Sequence, residues 1–233
     1  MLSLFEHPYK ALVIGASGAI GAAFVKAFQA DVQCVAVVSL SRTTHPGFDV
    51  CDAASVAQFA QRCRDSGPYH VVVDATGALT LNGVGPEKSL ASLRPEVLLH
   101  NMQVNAIGPV MVLQQFAPLL APGPSIYAKL SARVGSITDN QKGGWYGYRA
   151  AKAALNMFLQ TAAIELQRKN ADLRVVALQP GTVRSALSQP FLAGVPQWLE
   201  PEVSVQGMWQ ALSSLRPIQG AHFIDYKGQA IAW

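Results

Sequence analysis

The segment Gly15-Ala16-Ser17-Gly18-Ala19-Ile20-Gly21 limits what this chain can fold into more than any other. It follows the apolar run Ala11–Ile14, read as a strand, and leads into Ala19–Ala30, read as a helix. Each glycine has a physical task. The first lets the chain reverse sharply, the second lets backbone approach a pyrophosphate, and the last lets helix lie close on strand. The helix start then offers free N–H groups and the positive end of its dipole to phosphate. An ordinary tight turn shows the same glycines. The strand–turn–helix setting is what favours a dinucleotide site at Gly15, Ser17, Gly18, Ala19, Ile20 and Gly21.

The rest of the chain alternates apolar runs with helical stretches, the pattern of βαβ units. Strands are expected at 33–40, 70–74, 125–130, 173–178 and 222–224. Helices are expected at 53–65, with Asp52 as N-cap, and at 96–120, 146–169 and 202–214. Val71-Val72-Val73 is an unbroken run, so that strand should be buried on both faces. Gly108-Pro109 should kink the helix around it. Only seven residues separate Ser41 from Asp49, fewer than the roughly twelve a crossover helix needs. The second and third strands are therefore expected to join by a loop, with the usual helix missing or vestigial. No composition shift marks a boundary. The fold expected is α/β, a single doubly wound Rossmann-type domain over 1–233 with a parallel sheet of about seven strands and helices on both faces.

Half of the 233 residues are apolar and only 14% are charged, well below the usual quarter. That deficit points to extensive buried surface and to a face covered by a second subunit. The net charge of +4 is spread without a basic cluster, which argues against a nucleic-acid partner. No run approaches the ~20 apolar residues of a membrane span, and MLSLFEHPYK does not read as a secretion signal. Cys34, Cys51 and Cys63 are odd in number and lack metal-ligand spacing, so three reduced thiols in a cytoplasmic protein and no metal are expected.

Two features suggest chemistry. After the second strand, Ser39-Leu40-Ser41-Arg42 has no acid to hold ribose hydroxyls but does have Arg42. This favours NADP(H) over NAD(H), with Ser41 and Arg42 at the extra phosphate. About 130 residues after the glycine turn, Tyr148 and Lys152 stand four apart on one helix face. A neighbouring ammonium can lower a phenol's pKa and make it a usable acid or base. Tyr146 has no lysine four residues on.

These residues, with Asn105 in VNAIGP and QPGTV at 179–183, resemble the short-chain dehydrogenase/reductase (SDR) family from the glycine turn to the C-terminus. SARVGSITDNQKGGWYGYRAAKAALN and HFIDYKGQAIAW are similar to the C-factor branch, which includes the sniffer-type carbonyl reductases. The resemblance implies NADPH-dependent reduction of a small carbonyl compound. Tyr148 would be the general acid, Lys152 its partner at the ribose, and Asn105 the organiser of a relay water. It also implies that Asp49 and Val50 border the adenine, that Ala75, Thr76 and Gly77 border the cofactor, and that Pro180, Gly181, Thr182 and Val183 meet the nicotinamide. From its residues alone, Asn105 also reads as a brace for the kinked helix.

Two positions depart from the family pattern. The usual serine pair reads Ser131-Ala132, leaving Ser131 or Ser136 to position the carbonyl. The usual Asn-rich turn begins with Asp74, whose charge should face the protein rather than phosphates. The segment 184–198, with Phe191, Leu192, Val195 and Trp198, is expected to cover an apolar substrate. Helices apolar on several faces suggest a homodimer or homotetramer. The alternative is a catalytically weak, cofactor-binding signalling or sensor protein of the C-factor type.

Overall fold

In a computed structural model, which describes residues 7–191, 193 and 197–233, six strands form one parallel sheet. They are β1 (Tyr9–Ile14), β2 (Cys34–Leu40), β3 (Val71–Asp74), β4 (Ser125–Leu130), β5 (Leu173–Gln179) and β6 (His222–Asp225), in the order β2-β1-β3-β4-β5-β6. The connections are α1 (Ala19–Ala30), α2 (Ala53–Cys63), α3 (Pro95–Met102) with α4 (Gly108–Phe116), α5 (Tyr146–Gln167) and α6 (Pro201–Ser214). This is the expected doubly wound α/β fold.

Successive strand residues point to opposite faces, and that alternation divides the core in two. Val13, Val71, Val73, Val176 and Leu178 pack with Phe24 and Phe28 of α1 and Met208 and Leu212 of α6. Leu12, Val72, Tyr127, Val175 and Ala177 pack on the other side with Phe59 of α2, Phe116 of α4 and Leu155 of α5. All of Val71–Asp74 is buried, as a strand covered on both faces requires.

Two expectations need correction. The sheet has six strands rather than about seven, and β2 is joined to the next strand by α2, not by a bare loop. Residues 41–52 are indeed free of helix. They do not lead into a strand, however, because Phe48 turns into the core against Phe59 (ring centroids 5.4 Å) and Asp52 Oδ1 accepts the Ala54 N–H to start α2. The regular helix is interrupted one turn before the proline. Pro109 has no N–H to give Asn105, and the helix widens to a π turn over Gln103–Ile107, with Gly108 N–H donating to Gln103 O.

Candidate active site

The ligand groove of a doubly wound sheet lies beyond the carboxyl ends of the strands, where the order reverses. Here that point is between β1 and β3. Gly15 turns the chain with φ of +80°, and a Cβ there would meet Ala75 C at 2.9 Å. The turn is also tied to β2, since the N–H groups of Gly15 and Ala16 donate to Leu40 O at 2.8 and 3.2 Å. Gly21 brings α1 so close that a Cβ would lie 2.2 Å from Gly15 O. No side chain caps α1 at Gly18, so the first-turn N–H groups remain available to an anion.

A cavity of about 480 Å³ opens above this turn. It is lined by Gly18–Gly21 of the glycine turn, Ala75, Thr76 and Gly77 after β3, Ser131–Val134 after β4, Tyr148 and Lys152 of α5, and Pro180–Val183 after β5. Residues far apart in sequence thus meet around one cavity. Backbone donors at a helix start beside an exposed shelf of small residues fit a dinucleotide pyrophosphate. Gly15 underlies the turn, and Ser17 is exposed beside it. Ser41, Arg42, Asp49 and Val50 lie outside this cavity, at the end of β2 and in the loop after it. Arg42 is exposed there, whereas Ser41 is buried with its hydroxyl 2.9 Å from that of Thr44. Asp49 Oδ1 accepts the Cys51 N–H.

Tyr148 and Lys152 share a face of α5, with Lys152 Nζ 5.6 Å from the phenol ring centroid. Lys152 Nζ donates to Leu130 O at 3.0 Å. Burial, then the nearby Lys129 ammonium, lowers Lys152 to about 7, against an opposing pull from Asp74. Burial raises the Tyr148 pKa. A half-buried phenol that keeps its proton at neutral pH is set to donate one.

Asn105 sits in the π turn and grips the chain after β3. Its Oδ1 accepts Ala78 N–H at 3.0 Å and its Nδ2 donates to Ala78 O at 2.9 Å. Ser131 lines the cavity, but its hydroxyl donates to Asn156 Oδ1 at 2.6 Å. Ser136 is buried and accepts the Asp139 N–H. The wall at the usual serine position is the Ala132 methyl. Phe191 lines the cavity with Leu187 and stacks edge-on against Trp145 at 5.5 Å. Trp198 is 45% exposed and is not part of the lining, and Leu192 and Val195 lie outside the described residues.

Two contributors escape a sequence reading. Glu87 caps α5 from a distant loop. Its Oε2 accepts the Gly147 N–H at 3.0 Å and its backbone oxygen accepts Trp145 N–H, the residue that starts the helix at φ +54°. Nothing local marks Glu87. Lys129 is the second, with no exposure at all, inside β4 and 3.0 Å from Asp74 Oδ1. Its signal was available: a lysine in the apolar run SIYAKL and an aspartate ending VVVD need each other if both strands are central. As expected, Asp74 faces the protein.

Comparison with known proteins matches residues 9–195 to the short chain dehydrogenase family. The chain is 30% identical over 192 residues to the 1-hydroxy-2-glutathionyl-2-methyl-3-butene dehydrogenase of Rhodococcus sp. (strain AD45), covering 82% of this chain and 80% of the relative. It is 29% identical over 169 residues to the C-signal protein of Myxococcus xanthus, covering 72% and 95%. Its fold resembles that of the NADPH-bound carbonyl reductase from chicken fatty liver, with a TM-score of 0.81 at 22% identity, covering 100% of this chain and 96% of that one. With the glycine turn, the α5 pair and the sheet order in agreement, this chain belongs to the short-chain dehydrogenase family.

Proposed function

We propose that this protein is an NADPH-dependent reductase of a small, apolar carbonyl compound. The observation that carries the reading is the meeting of Tyr148 and Lys152 with the glycine-turn helix start in one cavity. NADPH supplies a hydride for the carbonyl carbon. Tyr148 Oη gives its proton to the carbonyl oxygen as the C–H bond forms, so the product is an alcohol and the phenol is left as phenolate. The Lys152 ammonium stabilises that phenolate and holds the ribose, and bound phosphates favour the charged form of the amine. The N–H groups of Ala19, Ile20 and Gly21 hold the pyrophosphate, since the Gly18 N–H donates to Gly15 O. Pro180–Val183 and Ala75–Gly77 border the nicotinamide side, and Asp49 and Val50 the adenine. Exposed Arg42, in a segment Ser39–Arg42 that contains no acid, favours NADP over NAD. Asn105 orders the relay by which Tyr148 regains its proton. Trp145, Leu187, Phe191 and Ala132 make the substrate wall apolar.

Absorbance-detected NADPH oxidation across aldehydes, diketones and quinones tests this. Tyr148→Phe should bind NADPH as wild type does and lose ~10²–10⁴-fold in turnover. Undiminished turnover in Tyr148→Phe would overturn the assignment.

One observation favours a second reading, a cofactor-binding signalling or sensor protein. Ala132 lines the cavity and the Ser131 hydroxyl donates to Asn156, an arrangement that would weaken the positioning of a carbonyl. NADPH binding without turnover of any carbonyl would support it. Leu99, Met157 and Ile164 are exposed on α3 and α5, which supports a homodimer or homotetramer. Light scattering at the monomer mass of 24.8 kDa would overturn that. Three free thiols support a cytoplasmic location.

A further inference from the structure

Two buried charges have no part in the chemistry above. Asp74 ends β3 and Lys129 lies opposite it in the parallel register with β4. Neither side chain has any exposure. Burying two ions is costly and is offset only by close pairing and further hydrogen bonds. Here those bonds converge on one turn. Lys129 Nζ donates to Asp74 Oδ1, to Thr76 O at 2.5 Å and to Thr76 Oγ1 at 3.1 Å. Asp74 Oδ1 also accepts from Thr76 N and Oγ1 at 2.9 and 2.6 Å. The pair therefore pins Asp74–Thr76, and Thr76 lines the cavity.

A third charge lies close by. Lys152 Nζ rests on the carbonyl of Leu130, the residue after Lys129. Two amines and one carboxylate thus share a stretch of interior, and Asp74 Oδ2 is buried without a hydrogen-bond partner. An acceptor in that position would be satisfied by whichever ammonium reaches it. The other titratable groups around Lys152 and this pair are few, and β4 contributes Tyr127, whose buried hydroxyl has no hydrogen-bond partner among the described residues and whose pKa is raised by burial and then by Asp74. Tyr148 lies one turn earlier on α5. The turn after β4 contributes Arg133, half-exposed and 3.5 Å from both Asp139 and Asp225. The π turn contributes Asn105, which does not titrate.

We propose that Asp74 and Lys129 act as one neutral positioning unit that keeps Lys152 out of an ion pair. Lys129 holds Asp74 Oδ1 and neutralises the carboxylate, so the Lys152 amine stays on Leu130 O beside Tyr148. This rests on the role given to Lys152 above. The two members act on Lys152 with opposite sign, Lys129 lowering its pKa and Asp74 raising it. Removing one should move the titration of Lys152, and removing both should largely restore it. With Lys129 alone gone, the orphaned carboxylate should draw the Lys152 ammonium to itself.

The test is a cycle of Lys129→Met, Asp74→Asn and the double variant. The first readout is the ¹³Cε titration of Lys152 in lysine-labelled protein, assigned by its loss in Lys152→Met. The second is turnover and KM for NADPH with a carbonyl substrate. Wild type should titrate at about 7. Lys129→Met should titrate at least about one pH unit higher and lose about 100-fold in turnover. Asp74→Asn should titrate lower, and the double variant should return towards wild type and regain at least about tenfold over Lys129→Met. An unmoved midpoint in both single variants, or a double variant no better than Lys129→Met, would overturn the proposal. If Lys129→Met does not fold, Asp74→Asn and the double variant still decide by their midpoints. If wild type reduces no carbonyl, the reductase reading fails, while the titration still judges the charge unit.

Discussion

On one side of the cavity, at Gly18–Gly21 and Ala75–Gly77, the lining is mostly small residues on tight backbone. On the other, at Ser131–Val134, Tyr148 and Lys152, it is side chains resting on buried charge and on a helix capped from a distance. The first wall is held mainly by close backbone packing at Gly15 and Gly21, where a Cβ would meet backbone at 2.9 and 2.2 Å, with Thr76 pinned from below by Lys129. The second is made by tertiary pairing, in which partners 55 to 60 residues apart set one another's positions. Damage should therefore differ in kind. The backbone wall should fail in binding and folding together, and the side-chain wall in chemistry while binding survives.

The severest break is Gly21→Leu. Its Cβ would lie 2.2 Å from Gly15 O, and neither backbone can yield without separating α1 from β1. NADPH binding, followed by fluorescence titration, should weaken at least ~100-fold, with ~3 kcal/mol or more of stability lost in denaturant unfolding. Binding within threefold of wild type would remove the contrast between the walls.

The next effect is one of pH. Lys152 titrates at about 7 in the folded chain against its ordinary 10.5. Between those values the unfolded chain binds the extra proton, so this group makes stability rise with pH across that window. Thermal unfolding at pH 7 and pH 9 should show a gain of up to roughly 2 kcal/mol in wild type that Lys152→Met lacks. Equal slopes in the two proteins would show that the side-chain wall is less desolvated than its burial implies.

Ala132→Ser should sharpen the comparison by improving the side-chain wall without touching the backbone one. A hydroxyl facing the cavity can donate to the carbonyl oxygen, and kcat/KM for carbonyl reduction should rise about tenfold with NADPH affinity unchanged. A fall would mean that the apolar wall matters more than the missing donor. The smallest effect belongs to Glu87→Gln. The amide can still accept the Gly147 N–H but loses the charge at the start of α5. About 1 kcal/mol should go, seen as a melting point lower by ~2–4 °C. Glu87→Ala should lose more, because no acceptor remains.

The same division explains what could be read from the sequence. The glycine turn, α1 and the strands from β3 onwards follow from local rules of turn, cap and alternation. α1 is found over the predicted Ala19–Ala30. The Tyr148–Lys152 face follows from helix period alone. What could not be read depends on contacts between distant residues. Nothing near 41–52 says that Phe48 turns inward on Phe59, so the expectation of a bare loop from β2 to the next strand fails, although α2 and its N-cap Asp52 stand where they are expected. The phenol's raised pKa depends on how deeply α5 is buried. Ser131 could be placed at the cavity, but the direction of its hydroxyl is decided by Asn156, 25 residues on. Glu87 reaches α5 across 60 residues of chain.

The loop after β2 has a further consequence. Arg42, Thr43 and Thr44 are exposed and belong to no strand ladder, while Phe48 and the Ser55 hydroxyl, which donates to Gly47 O at 2.7 Å, anchor the loop's far end. The stretch proposed to face the cofactor's distinguishing group therefore carries little of the sheet's cohesion. Mutation can rewrite it freely, so the choice between nicotinamide currencies can drift or be engineered in a lineage without putting the architecture at risk.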